Sequence, residues 1–131
     1  FDDNFFIYFE EIDLCKRLIN KNKKIYLDDS IEIDHLGGKS HNKNLNHAME
    51  LSRNWHLMWS TFYYNKKHKG FMIAFITSLP NLITSLVKTI FYFITFNKKK
   101  DIYFYRFSGL FNSIIGKSSW YRPKISDQEI L

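Results

Sequence analysis

The sequence predicts an α/β front joined to a helical back. Three observations carry this reading. Short apolar or alternating runs at 5–9, 24–28 and 31–35 have the length and pattern of strands. Apolar residues recur three to four apart over 10–20 and again over 45–64, as on one face of a helix. Residues 71–96 form the most apolar stretch of the chain, long enough to reach across a bilayer.

Residues 5–9 (Phe5-Phe6-Ile7-Tyr8-Phe9) are continuously apolar, which suits a buried strand or a loop pinned into the core. From Glu10 the period changes, and Ile12, Cys15, Leu18 and Ile19 place a helix over 10–20. Glu10, Glu11 and Asp13 lie in its first turn, where the helix dipole favours negative charge, and Lys16, Arg17 and Lys21 lie later. The strand candidates 24–28 and 31–35 are separated by the turn-prone pair Asp29-Ser30. In the second, Ile31 and Ile33 alternate with Glu32 and Asp34, and His35 ends it. Gly37-Gly38 then breaks regular structure. Leu45, Ala48, Met49, Ser52, Trp55, Trp59, Phe62 and Tyr63 repeat at helical spacing, which predicts a long amphipathic helix over 45–64.

A length of 131 residues is enough for one domain with a real core. The 18 % aromatic content needs a home, either in that core or at a membrane interface. The net charge of +6 divides unevenly. Residues 1–50 carry 7 Lys/Arg against 10 Asp/Glu (−3), and residues 51–131 carry 12 against 3 (+9). An acidic front and a basic, aromatic back suggest two jobs, the back facing something anionic. Cys15 stands alone, so no internal disulfide forms, which fits a reducing compartment. With Phe1 first and no basic segment leading into an apolar run, no signal peptide is visible, and the chain is expected to be a fragment.

Several chemistries lack their motifs. There is no Cys-x-x-Cys or His-x-x-x-His pair for zinc, no Walker phosphate loop and no Gly-x-Ser-x-Gly elbow. Two features remain: the carboxylates Glu10, Glu11 and Asp13, and the segment His35-Leu36-Gly37-Gly38-Lys39-Ser40. Each alone has a bland reading. The acids suit a helix start, and the His suits a strand end before a flexible loop. The glycine pair either lets backbone N–H groups approach a ligand, with Lys39 and Ser40 beside it, or serves as a hinge.

Together they carry a resemblance. The run from Phe1 to Leu18, with its phenylalanine-rich stretch leading into Glu10-Glu11-Ile12-Asp13, resembles an acid-acid-x-Asp signature of family 2 glycosyltransferases. His35 and the glycine loop follow at the family's separation. Lys24-Ile25-Tyr26, Ser52-Arg53 and the run Gly116 to Lys124 also look like the rhamnosyltransferase-like branch of bacterial surface polysaccharide synthesis. The resemblance implies the C-terminal part of a GT-A, Rossmann-like catalytic domain over 1–64, followed by a helical, membrane-associated tail over 65–131. It implies inverting transfer from a nucleotide-diphosphate-sugar to a glycan or lipid-linked acceptor.

Such a displacement needs a carboxylate to take the proton of the attacking hydroxyl. By resemblance that general base is Glu11, with Glu10 and Asp13 orienting it, the acceptor or the helix start. The family often has Asp where Glu11 stands. Gly37, Gly38, Lys39 and Ser40 are the implied substrate-binding residues. The implied cofactor is a divalent metal, Mg2+ or Mn2+, with His35 as a supplementary ligand. The family's main Asp-x-Asp ligands are expected upstream, so this chain alone is expected to be inactive. A non-catalytic membrane-peripheral scaffold and a metal-dependent hydrolase are the rival expectations.

In the tail, Thr77, Asn81, Thr84, Ser85, Lys88, Tyr92 and Thr95 make a polar stripe along 71–96, and Pro80 interrupts it. Lys66, Lys67 and Lys69 flank one end and Lys98, Lys99 and Lys100 the other. Basic residues at both ends suit a helix lying in the interface, or a hairpin dipping into it, better than a single span. A soluble hairpin packed on the catalytic part is the alternative. The expected partner is an anionic membrane surface at the cytoplasmic face of the inner or plasma membrane. Nucleic acid is not expected, since no nucleic-acid-binding motif accompanies the charge.

Overall fold

The computed structural model describes residues 1–33 and 46–123. It contains four helices: α1 (Glu10–Asn20), α2 (Asn46–Lys69), α3 (Phe71–Ile94) and α4 (Lys99–Ile114). Helices α2, α3 and α4 pack pairwise on one another. Gly70 alone links α2 to α3, and its positive φ of 85° makes the sharp reversal available at low cost.

The core lies where the three helices meet. Met58, Phe62, Ala74 and Leu110 are buried together, with Leu57, Phe75, Leu82 and Ile114 packed around them. Gly109 lets α4 lie against the α2 backbone, because a Cβ there would collide with the carbonyl of Trp55. Hydrogen bonds lock the same contact. Ser113 Oγ donates to the Trp59 carbonyl at 3.0 Å, and Trp55 Nε1 donates to Ser108 Oγ at 3.2 Å. After α4 the chain folds back onto α2, where Trp59 Nε1 donates to the Lys117 carbonyl at 2.9 Å.

The α/β expectation is corrected. Among the described residues there is no strand and no sheet, and all the regular structure is helical. Residues 24–28 and 31–33 are irregular and exposed, with Leu27 95 % accessible. Their alternation has no neighbour to form a ladder with, and a strand exists only through its ladder. Residues 5–9 follow the other reading given for them: a loop pinned into the core by buried Phe5, with Tyr8 and Phe9 both at φ 70°. Asp34 and His35, at the end of the third strand candidate, lie outside the described residues.

The helices over 10–20 and 45–64 are present, the second running on to Lys69. The apolar stretch is one helix, α3, long and apolar enough to cross a membrane. It is packed inside out. Its buried residues are Ala74, Ser78 and Ser85, while Met72, Ile73, Ile76, Ile83, Val87, Ile90, Phe93 and Ile94 face outward. Of the polar stripe, Ser85 is buried and Tyr92 half-buried; the other members are exposed. The threonines are nonetheless satisfied by the helix itself. Thr77, Thr84, Thr89 and Thr95 each donate to a carbonyl one turn back, at 2.8, 2.7, 2.7 and 3.0 Å.

Candidate functional site

The segment before α1 runs along α2 and returns. Asp2 meets Lys67 and Tyr63, Phe6 lies against His56, and Asp13 meets His68. At the turn, Ser60 Oγ donates to the Ile7 carbonyl at 3.0 Å. Two successive non-glycine residues, Tyr8 and Phe9, hold φ 70° directly before the acids. Left-handed conformations cost about 1–3 kcal/mol each at such residues and tend to cluster at functional sites. The packing of Phe5 edge-on to Tyr63 and of Phe9 on Tyr64 offsets that cost.

This turn walls an open cleft of about 720 Å³. Its rim is Phe6 to Ile12 on one side and Met49, Ser52, Arg53 and Pro123 on the other. Glu10 and Glu11 therefore share a cavity with Ser52-Arg53, which lie some forty positions away in sequence. Glu11 is exposed. Glu10 is half-buried, and its Oε2 is shielded from solvent with no hydrogen-bond partner among the described residues. An ionisable oxygen in that position needs a partner, such as a hydroxyl or a cation, that the described residues do not supply.

Asp13 is elsewhere and otherwise engaged. Its carboxylate is wholly buried, meeting Arg17 Nε at 2.8 Å, Lys67 Nζ at 2.7 Å and His68 Nε2 at 2.8 Å. Burial alone would raise its pKa. Hydrogen bonds from Lys67, His68 and Arg17 outweigh burial and hold the carboxyl below the ordinary range. Asp2 behaves in the same way, lowered by Lys67, Asn4 and Tyr63 against the effect of burial. Asp13 thus ties α1 to the end of α2 and does not line the cleft.

Among the described residues, no three His, Cys, Asp or Glu side chains gather as a metal site. The oxygens of Asp13 already face three cationic or protonatable groups, so this donor set does not fit a divalent ion. His35, Gly37, Gly38, Lys39 and Ser40 lie outside the described residues.

Sequence reasoning missed His56. It is fully buried on α2, with Nε2 2.9 Å from the Tyr121 carbonyl and Nδ1 2.9 Å from Ser119 Oγ. A carbonyl only accepts, so Nε2 carries the proton and Nδ1 accepts from the serine. Arg122 then lies over the Phe6 ring at 3.6 Å, closing the edge of the cleft. A buried helix-face histidine has no sequence signal that separates it from a core residue.

Burial pushes His56 down to about 4 from an ordinary 6.5; the Tyr121 hydrogen bond opposes this, and the Arg122 charge adds to it. The unfolded chain therefore binds the proton first. Stability from neutral His56 is complete above pH 6.5 and is lost as pH falls from 6.5 toward 4, by about 3 kcal/mol in all. Urea midpoints should fall between pH 7.5 and pH 5 in the wild type and fall less in His56→Gln. Equal slopes in the two proteins would show that His56 is not the group responsible.

No family model, no curated protein and no solved structure matches the chain.

Proposed function

We propose that this chain is the acceptor-side part of an inverting glycosyltransferase that moves a sugar from a nucleotide-diphosphate-sugar to a glycan or lipid-linked acceptor. One observation carries the reading: the Glu10-Glu11 pair and Arg53 line one open cleft, beside a strained backbone turn. The exposed carboxylate of Glu11 is the base that takes the acceptor proton. Glu10 orients the hydroxyl, and Arg53 supplies positive charge where the leaving diphosphate gathers negative charge. Among the described residues, no cluster of His, Cys, Asp or Glu fits a divalent ion on the leaving diphosphate. The test is transfer of label from nucleotide-diphosphate-sugars to extracted membrane glycans by the protein in full. A protein that transfers from none of a broad set of donors is not a glycosyltransferase. A non-catalytic membrane scaffold is the second reading, favoured by the engagement of Asp13 in a purely structural cluster.

The protein works at the cytoplasmic face of a membrane, with α3 lying in the interface. Its outward face is apolar, its threonines bond within the helix, and exposed Lys66, Lys69, Lys98 and Lys99 flank it at both ends. Each lysine near an anionic surface contributes roughly 1 kcal/mol. The protein should sediment with phosphatidylglycerol-containing vesicles at low salt and less at high salt. Ile76→Asp with Ile83→Asp should leave it in the supernatant; undiminished sedimentation of that variant would rule out α3 as the attachment.

A further inference from the structure

A second cleft, of about 350 Å³, is walled in part by Arg122. Its walls include Leu51 of α2, Tyr105 of α4, and Trp120, Tyr121 and Arg122 of the returning segment, with His47 at its rim. Of the chain's tryptophans, Trp55 and Trp59 are buried, whereas Trp120 is 53 % exposed. It is held rather than loose. Its ring meets Trp55 edge-on at 5.6 Å, and its Nε1 donates to Asn112 Oδ1 at 3.2 Å. Tyr121 is fixed in turn by its carbonyl contact with His56 and by the Tyr105 ring at 4.9 Å.

We propose that this aromatic cleft binds a saccharide of the acceptor beyond the one that is attacked, so that the acceptor is an oligosaccharide chain. A pyranose ring is amphipathic: one face presents C–H groups, and its edge presents hydroxyls. Rigid aromatic walls with a few polar groups at the edge match that shape, and the volume is at the small end of ligand pockets, about 300–1,000 Å³. Arg122, whose Nη1 also donates to the Ser119 and Tyr121 carbonyls, and His47 are the polar groups at that edge. The nearness of the first cleft suggests the direction. Arg122 lines the second cleft while its guanidinium lies on Phe6, which lines the first; Leu51 lines the second and Ser52 the first. A chain whose attacked hydroxyl sits by Glu11 has its next units led over Arg122 toward Trp120. The inference rests on the glycosyltransferase reading for its direction, but not for the binding itself.

The experiment labels the full protein with 5-fluorotryptophan and follows the ¹⁹F resonance that disappears in Trp120→Phe. The probes are oligosaccharides released by mild acid from the producing cell's surface glycan, and the monosaccharides from complete hydrolysis of the same material. The resonance should move with the oligosaccharides and stay in place with the monosaccharides. Trp120→Ala should weaken oligosaccharide binding by about tenfold, while Trp120→Phe, which keeps a ring, weakens it less. If Trp120→Ala does not fold, the wild-type titration decides alone. A resonance unmoved at saturating oligosaccharide, in a protein that still transfers sugar, overturns the subsite and leaves the transferase reading standing. Movement in a protein with no transfer activity keeps the glycan site and removes the transferase reading.

Discussion

Glu11→Gln in the full protein is expected to lower sugar transfer by about a hundred- to ten-thousand-fold, the usual contribution of a positioned general base. The substitution keeps the size and a hydrogen-bonding group but cannot take the proton. Glu11 is exposed at the cleft, so its replacement disturbs no packing and the melting temperature should hardly move. Acceptor and donor affinities should change little, placing the loss in kcat. Glu10→Gln should cost less, since its half-buried oxygen orients rather than receives. The reverse ranking, with Glu10→Gln inactive and Glu11→Gln near wild type, would move the base to Glu10 and keep the site. If neither variant loses activity, the cleft is not where the chemistry occurs.

The second large effect concerns stability. Asp13→Ala removes the one carboxylate shared by Arg17, Lys67 and His68. Removing one partner from a buried ionic cluster typically costs 3–5 kcal/mol, because the remaining charges stay desolvated. Lys67 and Arg17 are partly exposed and can turn toward water, and Lys67 keeps Asp2, so the expected cost is about 3 kcal/mol. Because the folded-state carboxyl is lowered below its ordinary 3.8, the contribution is present above that value and lost as pH falls through the lowered one. Urea denaturation at pH 7 reads the effect directly. A variant with the wild-type midpoint would show that α1 is held without this cluster. A folded variant that has nonetheless lost all activity would return Asp13 to the chemistry.

Helices α1 and α2 were legible in the sequence because each repeats its apolar residues at a fixed interval, whereas α4 was foreseen only as part of a helical tail. The period in 10–20 and 45–64 needs nothing beyond the segment itself. The strand expectations failed for want of a comparable signal. Ile31 and Ile33 alternate as a strand's residues do, but alternation describes one edge of a ladder and says nothing of the other. The direction of α3 was half legible. The polar stripe was visible, but the fold turns the smallest residues inward, burying Ala74 and Ser78, which the stripe did not include. Of the site, the acids at 10–13 could be singled out, while the division between cleft-lining Glu10-Glu11 and buried Asp13 depends on where α2 ends. No spacing rule connects Asp13 to His68. The coming together of Glu11 with Arg53 was likewise visible only as two separate fragments of a resemblance.

The circumference of α3 is divided between two sets of residues that scarcely overlap. Ala74, Ser78 and Ser85 make the fold; Ile76, Ile83, Val87 and Ile90 face away from it. Each set is therefore free to drift without the other. A lineage can trade its outward isoleucines for charged residues and keep the same bundle. Enlarging Ala74, by contrast, would force the helices apart however well the outer surface is preserved. Outer surface and architecture are separately heritable here, encoded in the same two dozen residues but on opposite sides of one cylinder.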